Sequence, residues 1–190
     1  MIQQGDILLI NNKSFNLFSI GQRLFTGQSY THVAVGMDVL NTPSYMGADQ
    51  LVVVQQFDNL VNANEDYQVW RPVANKDKIK EALTEIYKQC GAETYGYLQI
   101  PWFIYRWFWE KFGRNVKHKR PWFSNPKQVI CSELGWKYLS ILYKDNQTVI
   151  NFLNQWAPKC FHSGDMKTVV YFLKYLTLFN KVGERWTGKY

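Results

Sequence analysis

SYTHVAVGM, residues 29–37, sets one histidine at the mouth of a run that reads as a buried strand. Val33, Ala34 and Val35 follow His32 without a charge among them, and such residues fit an enclosed, pleated surface. A strand this apolar has no structural need of an imidazole at its start. The other half of the question lies far downstream, in VICSELGWKYL, residues 129–139. There two apolar residues lead into Cys131, and Leu134, Tyr138, Ile141 and Leu142 recur at helical spacing. Cys131 is therefore expected to head a helix. It would lie beside backbone N–H groups that have no intrahelical partner, at the positive end of the dipole. Both favour a thiolate.

A cysteine at a helix start and a histidine at a strand start are the parts of a nucleophile–base pair. The imidazole takes the thiol proton and later gives it to the leaving group. The same helix N–H groups can hold an oxyanion. Each residue also has an ordinary reading. A buried cysteine behaves as a small apolar side chain, and a histidine at a strand end packs as a satisfied core residue. A third polar group usually accepts from the second ring N–H and fixes the tautomer. The run LVVVQQF, residues 51–57, ends in Gln55 and Gln56. Side chains alternate along a strand, so one of the two amides can face His32 and the other cannot.

Working outward, GDILLI begins with a Gly-Asp turn and gives a first strand at residues 6–10. SFNLFSIGQRLFTG spaces its apolar residues as a short helix ending near Gly27. THVAVGMDVL is a strand, NTPSYMGAD a turn-rich loop, QLVVVQQF a strand and YQVWRPV another that closes at Pro72. NKDKIKEALTEIYKQCG is a helix with Ile79, Leu83, Ile86 and Tyr87 on one face and Gly91 at its C-cap. Helices follow in VICSELGWKYLSILY, TVINFLNQW and MKTVVYFLKYLTLF. The layout is α+β: a small antiparallel sheet packed with helices, then extra C-terminal helices. The whole chain, 1–190, reads as one domain, with a core of about 4–145 and a C-terminal helical extension of about 146–190.

The 190 residues are 46% hydrophobic and 19% charged, so the chain can bury a real core. A net charge of +7 favours anionic partners, but no nucleic-acid motif accompanies it, so specific nucleic-acid binding is not expected. Cys90, Cys131 and Cys160 are odd in number and widely spaced, with no C-x-x-C pair. Neither a zinc knuckle nor a disulfide framework is indicated. No metal or organic cofactor is expected. MIQQGDILLI reads as a mature start without a signal peptide, and no apolar run reaches the length of about 20 residues that a membrane span needs.

In order along the chain, GDILL, IGQRLFTGQSYTHVAVGM, VVVQQ, YGYLQI and ICSELGWKYL resemble the circularly permuted branch of the NlpC-type, papain-like cysteine peptidase superfamily, in particular its YiiX-like group. Lecithin retinol acyltransferase is a more distant relative. The resemblance spans about residues 4–140 and rests chiefly on Gly5-Asp6, on Thr31-His32-Val33 and on Cys131-Ser132-Glu133-Leu134. Papain-like enzymes carry Cys before His; here His32 precedes Cys131, as permutation gives. The resemblance implies Cys131 as nucleophile, His32 as base and the residue ending the next strand as orienter. Spacing puts Gln55 there, with Gln56 second, where the YiiX-like pattern often has a Glu followed by a small residue. It also implies a pocket-lining Tyr95, in TYGYLQI.

The middle segment, residues 97–123, crowds Trp102, Phe103, Trp107, Phe108 and Trp109 into one expected helix and follows it with the basic loop RNVKHKR. Three uses suit it: a core helix, an apolar groove for an acyl chain or a partner, and an anionic or membrane surface. His118 in the basic loop has no partner visible in sequence. His162 lies two residues after Cys160, so the two could pair, but no helix start follows Cys160 directly. The expected function is a thiol hydrolase or acyltransferase acting on an amide or ester, with a cell-wall peptide or a lipid or acyl group as substrate. The rival reading is a binding or structural module that keeps the fold, in a phage or membrane-associated assembly. The chain is expected to be cytoplasmic at synthesis, and then virion-associated or released by another route.

Overall fold

The computed structural model describes residues 2–11, 20, 23, 29–48, 52–62, 65–91, 94–95, 105, 108–109, 112, 128–156 and 166–185. Its centre is β1 (Ile7–Asn11), buried at every position. A strand enclosed on both faces needs no alternation, which is why ILLI reads as an unbroken apolar run. β2 (His32–Val39) pairs with one side of β1 and β5 (Asp66–Pro72) with the other. β3 (Thr42–Ala48), β4 (Val52–Gln56) and β8 (Phe179–Arg185) complete a six-stranded antiparallel sheet in the order β4-β3-β2-β1-β5-β8. The short helix α1 (Phe57–Asn62) follows β4 directly.

α2 (Lys76–Cys90) begins where the Asn75 side chain accepts from the Lys78 N–H at 2.8 Å, an ordinary N-cap. Its buried stripe, Ile79, Ala82, Leu83, Ile86 and Cys90, follows the helical repeat. α3 (Cys131–Leu142) is buried almost all round, because it lies between β2, α2 and α5 (Met166–Tyr175). α4 (Gln147–Trp156) adds Phe152 to the aromatic cluster of Trp136 and Phe172, which extends to Tyr143 and Phe179. Ile7, Leu9, Val33, Val35 and Met46 share one core with these helices, while Leu8, Ile10, Ala34, Tyr45 and Val69 form a second cluster. The chain is thus α+β.

Two stretches differ from the sequence reading. NTPSYMGAD is no loop: β3 occupies most of it. Leu40 (φ 53°) and Asn41 (φ 62°) make a two-residue hairpin turn immediately after β2, and both positions need positive φ. Of the turn formers Asn41, Pro43, Ser44 and Gly47, only Asn41 is spent on a turn. The final helix also stops early. α5 ends at Tyr175, Thr177 takes φ 53°, and Phe179–Arg185 returns to the sheet as β8 along β5. The stretch read as a helical extension therefore supplies an edge strand too. The helix expected over SFNLFSIGQRLFTG lies outside the described residues except Ile20 and Arg23, both helical.

Candidate functional site

α3 opens at Cys131, and its N-cap, Ile130, offers no side-chain cap. The N–H groups of the first turn are left for other acceptors. The packing beneath fixes where this helix end lies. Gly135, one turn on and on the same helix face, faces β2 so closely that a Cβ there would fall 2.6 Å from Val33 Cγ1. Glycine lets the helix sit down on the strand.

The result is that three consecutive residues of the β2 entry meet one sulfur. The Cys131 thiol donates to the Thr31 carbonyl, with Sγ 3.9 Å from the oxygen. The His32 imidazole is hydrogen-bonded to the sulfur, and the backbone N–H of Val33 donates to it, as does that of Ser132. Cys131 is 2% exposed, and burial alone pushes a thiol pKa up. The charge of His32, its hydrogen bond and the two N–H groups outweigh burial, and the thiol pKa falls below its ordinary value. The neutral thiol thus has an acceptor and the thiolate has donors at the same place. Glu133, in the first turn of α3, is buried beside this end of the helix.

His32 is half-buried and faces Ile10 on β1. Its Nε2 lies 3.0 Å from where a Cβ on Gly47 would stand, and Tyr45 Cε2 lies 3.7 Å from the same point. The two rings flank one glycine. Gln55 sits on β4 opposite Tyr45, and its Oε1 accepts from the Tyr45 hydroxyl at 2.8 Å. The strand after β2 is β3, so β4, which carries Gln55, is the second strand on from His32. The structure ties Gln55 to Tyr45 and puts Gly47 directly beside the imidazole. Gln56 alternates to the other side and is exposed. Tyr95 lies on β6 (Thr94–Tyr95), level with Val129 on β7 (Gln128–Val129), two residues ahead of Cys131; its side chain lies outside the described residues.

Gly47, Tyr45 and Gly135 were missed in the sequence. A lone glycine inside a strand or helix pattern signals a close approach, yet neither glycine names what approaches it. Of residues 97–123 the structure describes Tyr105, Phe108, Trp109 and Phe112; His118, Cys160 and His162 lie outside. Cys90 is buried, with the Lys137 Nζ 3.5 Å from its sulfur. A cavity of about 510 Å³ opens at the far end of β2, lined by Met37, Asp38, Arg71 and Lys76 among others, and contains neither His32 nor Cys131. The hydrogen-bonded Cys131–His32 pair, with its thiol pKa held below the ordinary value, is a better guide here than cavity size. Among the described residues no group of three or more His, Cys, Asp or Glu could hold a metal ion, and no helix is long and apolar enough to cross a membrane.

No protein-family model matches the sequence, and no curated protein does. Among solved structures the chain is similar to that of the metalloprotein YiiX from Escherichia coli O157:H7, DUF1105. The TM-score is 0.61 at 15% identity, over 97% of this chain and 98% of that one. The likeness gives the fold, a YiiX-like α+β arrangement.

Proposed function

We propose that this chain is a permuted papain-like, cysteine-dependent hydrolase or acyltransferase with Cys131 as nucleophile and His32 as its base. The observation that carries the reading is the hydrogen-bonded Cys131–His32 pair at the start of α3, with the thiol held below its ordinary pKa. The Cys131 thiolate attacks an amide or ester carbonyl carbon, and the carbonyl oxygen takes the negative charge beside the first N–H groups of α3. His32 carries the thiol proton and delivers it to the leaving amine or alcohol as the carbon–leaving-group bond breaks. The acyl group remains on sulfur. Water, giving a proton to His32, or another acceptor then releases it. The substrate is a cell-wall peptide amide or a lipid or acyl ester.

YiiX is called a metalloprotein. Here His32 and Cys131 bring together only two donors among the described residues, so no step above runs through a metal. The observation favouring the rival module is the burial of the sulfur: a carbonyl must reach it past the groups that cover it.

A small activated ester, p-nitrophenyl acetate, followed by intact-protein mass spectrometry tests the reading. An acetyl adduct on Cys131 is expected in the wild type and none in Cys131→Ala. Adduct formation in His32→Ala should be slower by about 10²-fold or more. The reading fails if no adduct forms and Cys131 titrates near about 8.5, as a free thiol does, with or without His32.

A further inference from the structure

Tyr105, Phe108 and Phe112 are 48%, 49% and 67% exposed. Tyr105, Phe108 and Trp109 are helical, and Phe112 closes the turn, its N–H donating to the Trp109 carbonyl at 3.2 Å. Spacings of three, four and seven put these residues on one face. The rings touch: Tyr105 and Phe108 each meet Trp109 edge-on at 6.0 and 5.8 Å between centroids, and Phe108 meets Phe112 at 4.8 Å. Contiguous exposed aromatic surface of this kind marks an interaction site rather than a scatter of surface residues. A core helix would have enclosed these rings.

Charge decides what the surface fits. Residues 97–123 hold Arg106, Lys111, Arg114, Lys117, Lys119 and Arg120 against the single acid Glu110, so most of the chain's excess of +7 is concentrated here. Aromatic rings with a run of cations beside them suit the boundary of a bilayer, where the rings sit at headgroup depth and the cations meet anionic lipid. The parallel pairing of Thr94 with Gln128 and Tyr95 with Val129 brings together residues that flank this segment in sequence, directly ahead of Cys131.

We infer that the Tyr105–Phe108–Phe112 face docks on an anionic lipid surface, lying on the bilayer rather than crossing it. The inference stands apart from the thiol chemistry. The experiment is co-sedimentation of the full chain with vesicles of phosphatidylcholine alone and of phosphatidylcholine mixed with phosphatidylglycerol. Binding to the mixed vesicles is expected, with little to the neutral ones. It should weaken as salt approaches about 1 M, where screening reaches about 3 Å. Phe108→Ser with Phe112→Ser should weaken it by more than about tenfold, from the lost apolar burial. Lys117→Glu with Lys119→Glu, which leave the aromatic residues unchanged, should weaken it as well. Cys131→Ala should bind as the wild type does.

No sedimentation with the mixed vesicles overturns the inference. So does equal binding by the wild type and the folded aromatic variant, which would leave charge alone as the cause. If the wild type self-associates in ultracentrifugation and the aromatic variant does not, with no vesicle binding, the face belongs to a second copy of the chain and the lipid assignment falls.

Discussion

Two buried ionisable groups sit at opposite ends of the β1–β2 pairing, and they are held differently. At the far end Asp6 is fully enclosed. Its carboxylate accepts from Arg71 Nε and Nη2, both at 2.9 Å, and from the Gln3 N–H at 2.8 Å. Every donor there is fixed: a guanidinium never gives up its proton in a protein. At the near end Cys131 is almost as deeply buried, but its partner is an imidazole, which changes charge near neutrality. One site locks a charge in place. The other can pass a proton between two groups. Both groups are buried with a partner; what separates the two ends is the titratability of that partner.

The strongest way to break this comparison is at the locked end. Arg71→Ala would strand the Asp6 charge inside the protein. Removing one member of a buried pair costs about 3–5 kcal/mol, and partial exposure of Arg71 puts the loss at the lower end, about 3 kcal/mol. Denaturant unfolding should show that loss while the pH midpoint of the Cys131 thiolate, followed by its ultraviolet absorption, stays where it was. A midpoint that moved with stability would mean the two ends are not independent.

Gly135→Ala should move both quantities. The new methyl would meet Val33 and lift the start of α3 off β2. Overpacking of this kind costs about 1–3 kcal/mol. It also draws Cys131 away from His32, so the thiolate midpoint should rise towards about 8.5. An unchanged midpoint in the folded variant would show that this contact does not set the position of the sulfur.

Most of the fold was legible, because its elements carry their own period. β1, β4, β5 and α2 announce themselves in ILLI, VVVQQ, YQVWRP and the Ile79, Leu83, Ile86 stripe, and Cys131 does begin its helix. What was not legible depends on partners. β3 was hidden because Pro43, Ser44 and Gly47 look like a loop until Leu40 and Asn41 are seen to make the whole turn. β8 was hidden because its residues are mostly exposed and gain their order from pairing with β5. Cross-strand neighbours depend on partners too. Gln55 ends the next strand visible in the sequence, but β3 lies between β2 and β4, and the structure bonds Gln55 to Tyr45. A strand missed in the sequence shifts every cross-strand neighbour assigned after it.

Gly47 supplies the finest test of the comparison, because there chemistry and stability should come apart. An added Cβ would stand 3.0 Å from His32 Nε2, so the imidazole must give way by a few tenths of an ångström. Alanine in place of glycine within a strand recovers about 0.5–1 kcal/mol of backbone entropy, which offsets that crowding. Unfolding stability in Gly47→Ala should therefore stay close to that of the wild type near neutral pH. The thiol should not be so forgiving. Its pKa is lowered in the folded state, so its ionisation contributes stability that is fully present above the unfolded value of about 8.5 and is lost as pH falls through the folded value. Displacing the ring raises the folded value and narrows that window from below. The thiolate midpoint should climb by up to about 1 unit, the worth of one ordinary hydrogen bond. If the midpoint holds while the variant folds, the imidazole has room to move at no cost, and the clearance at Gly47 has no part in tuning the pair.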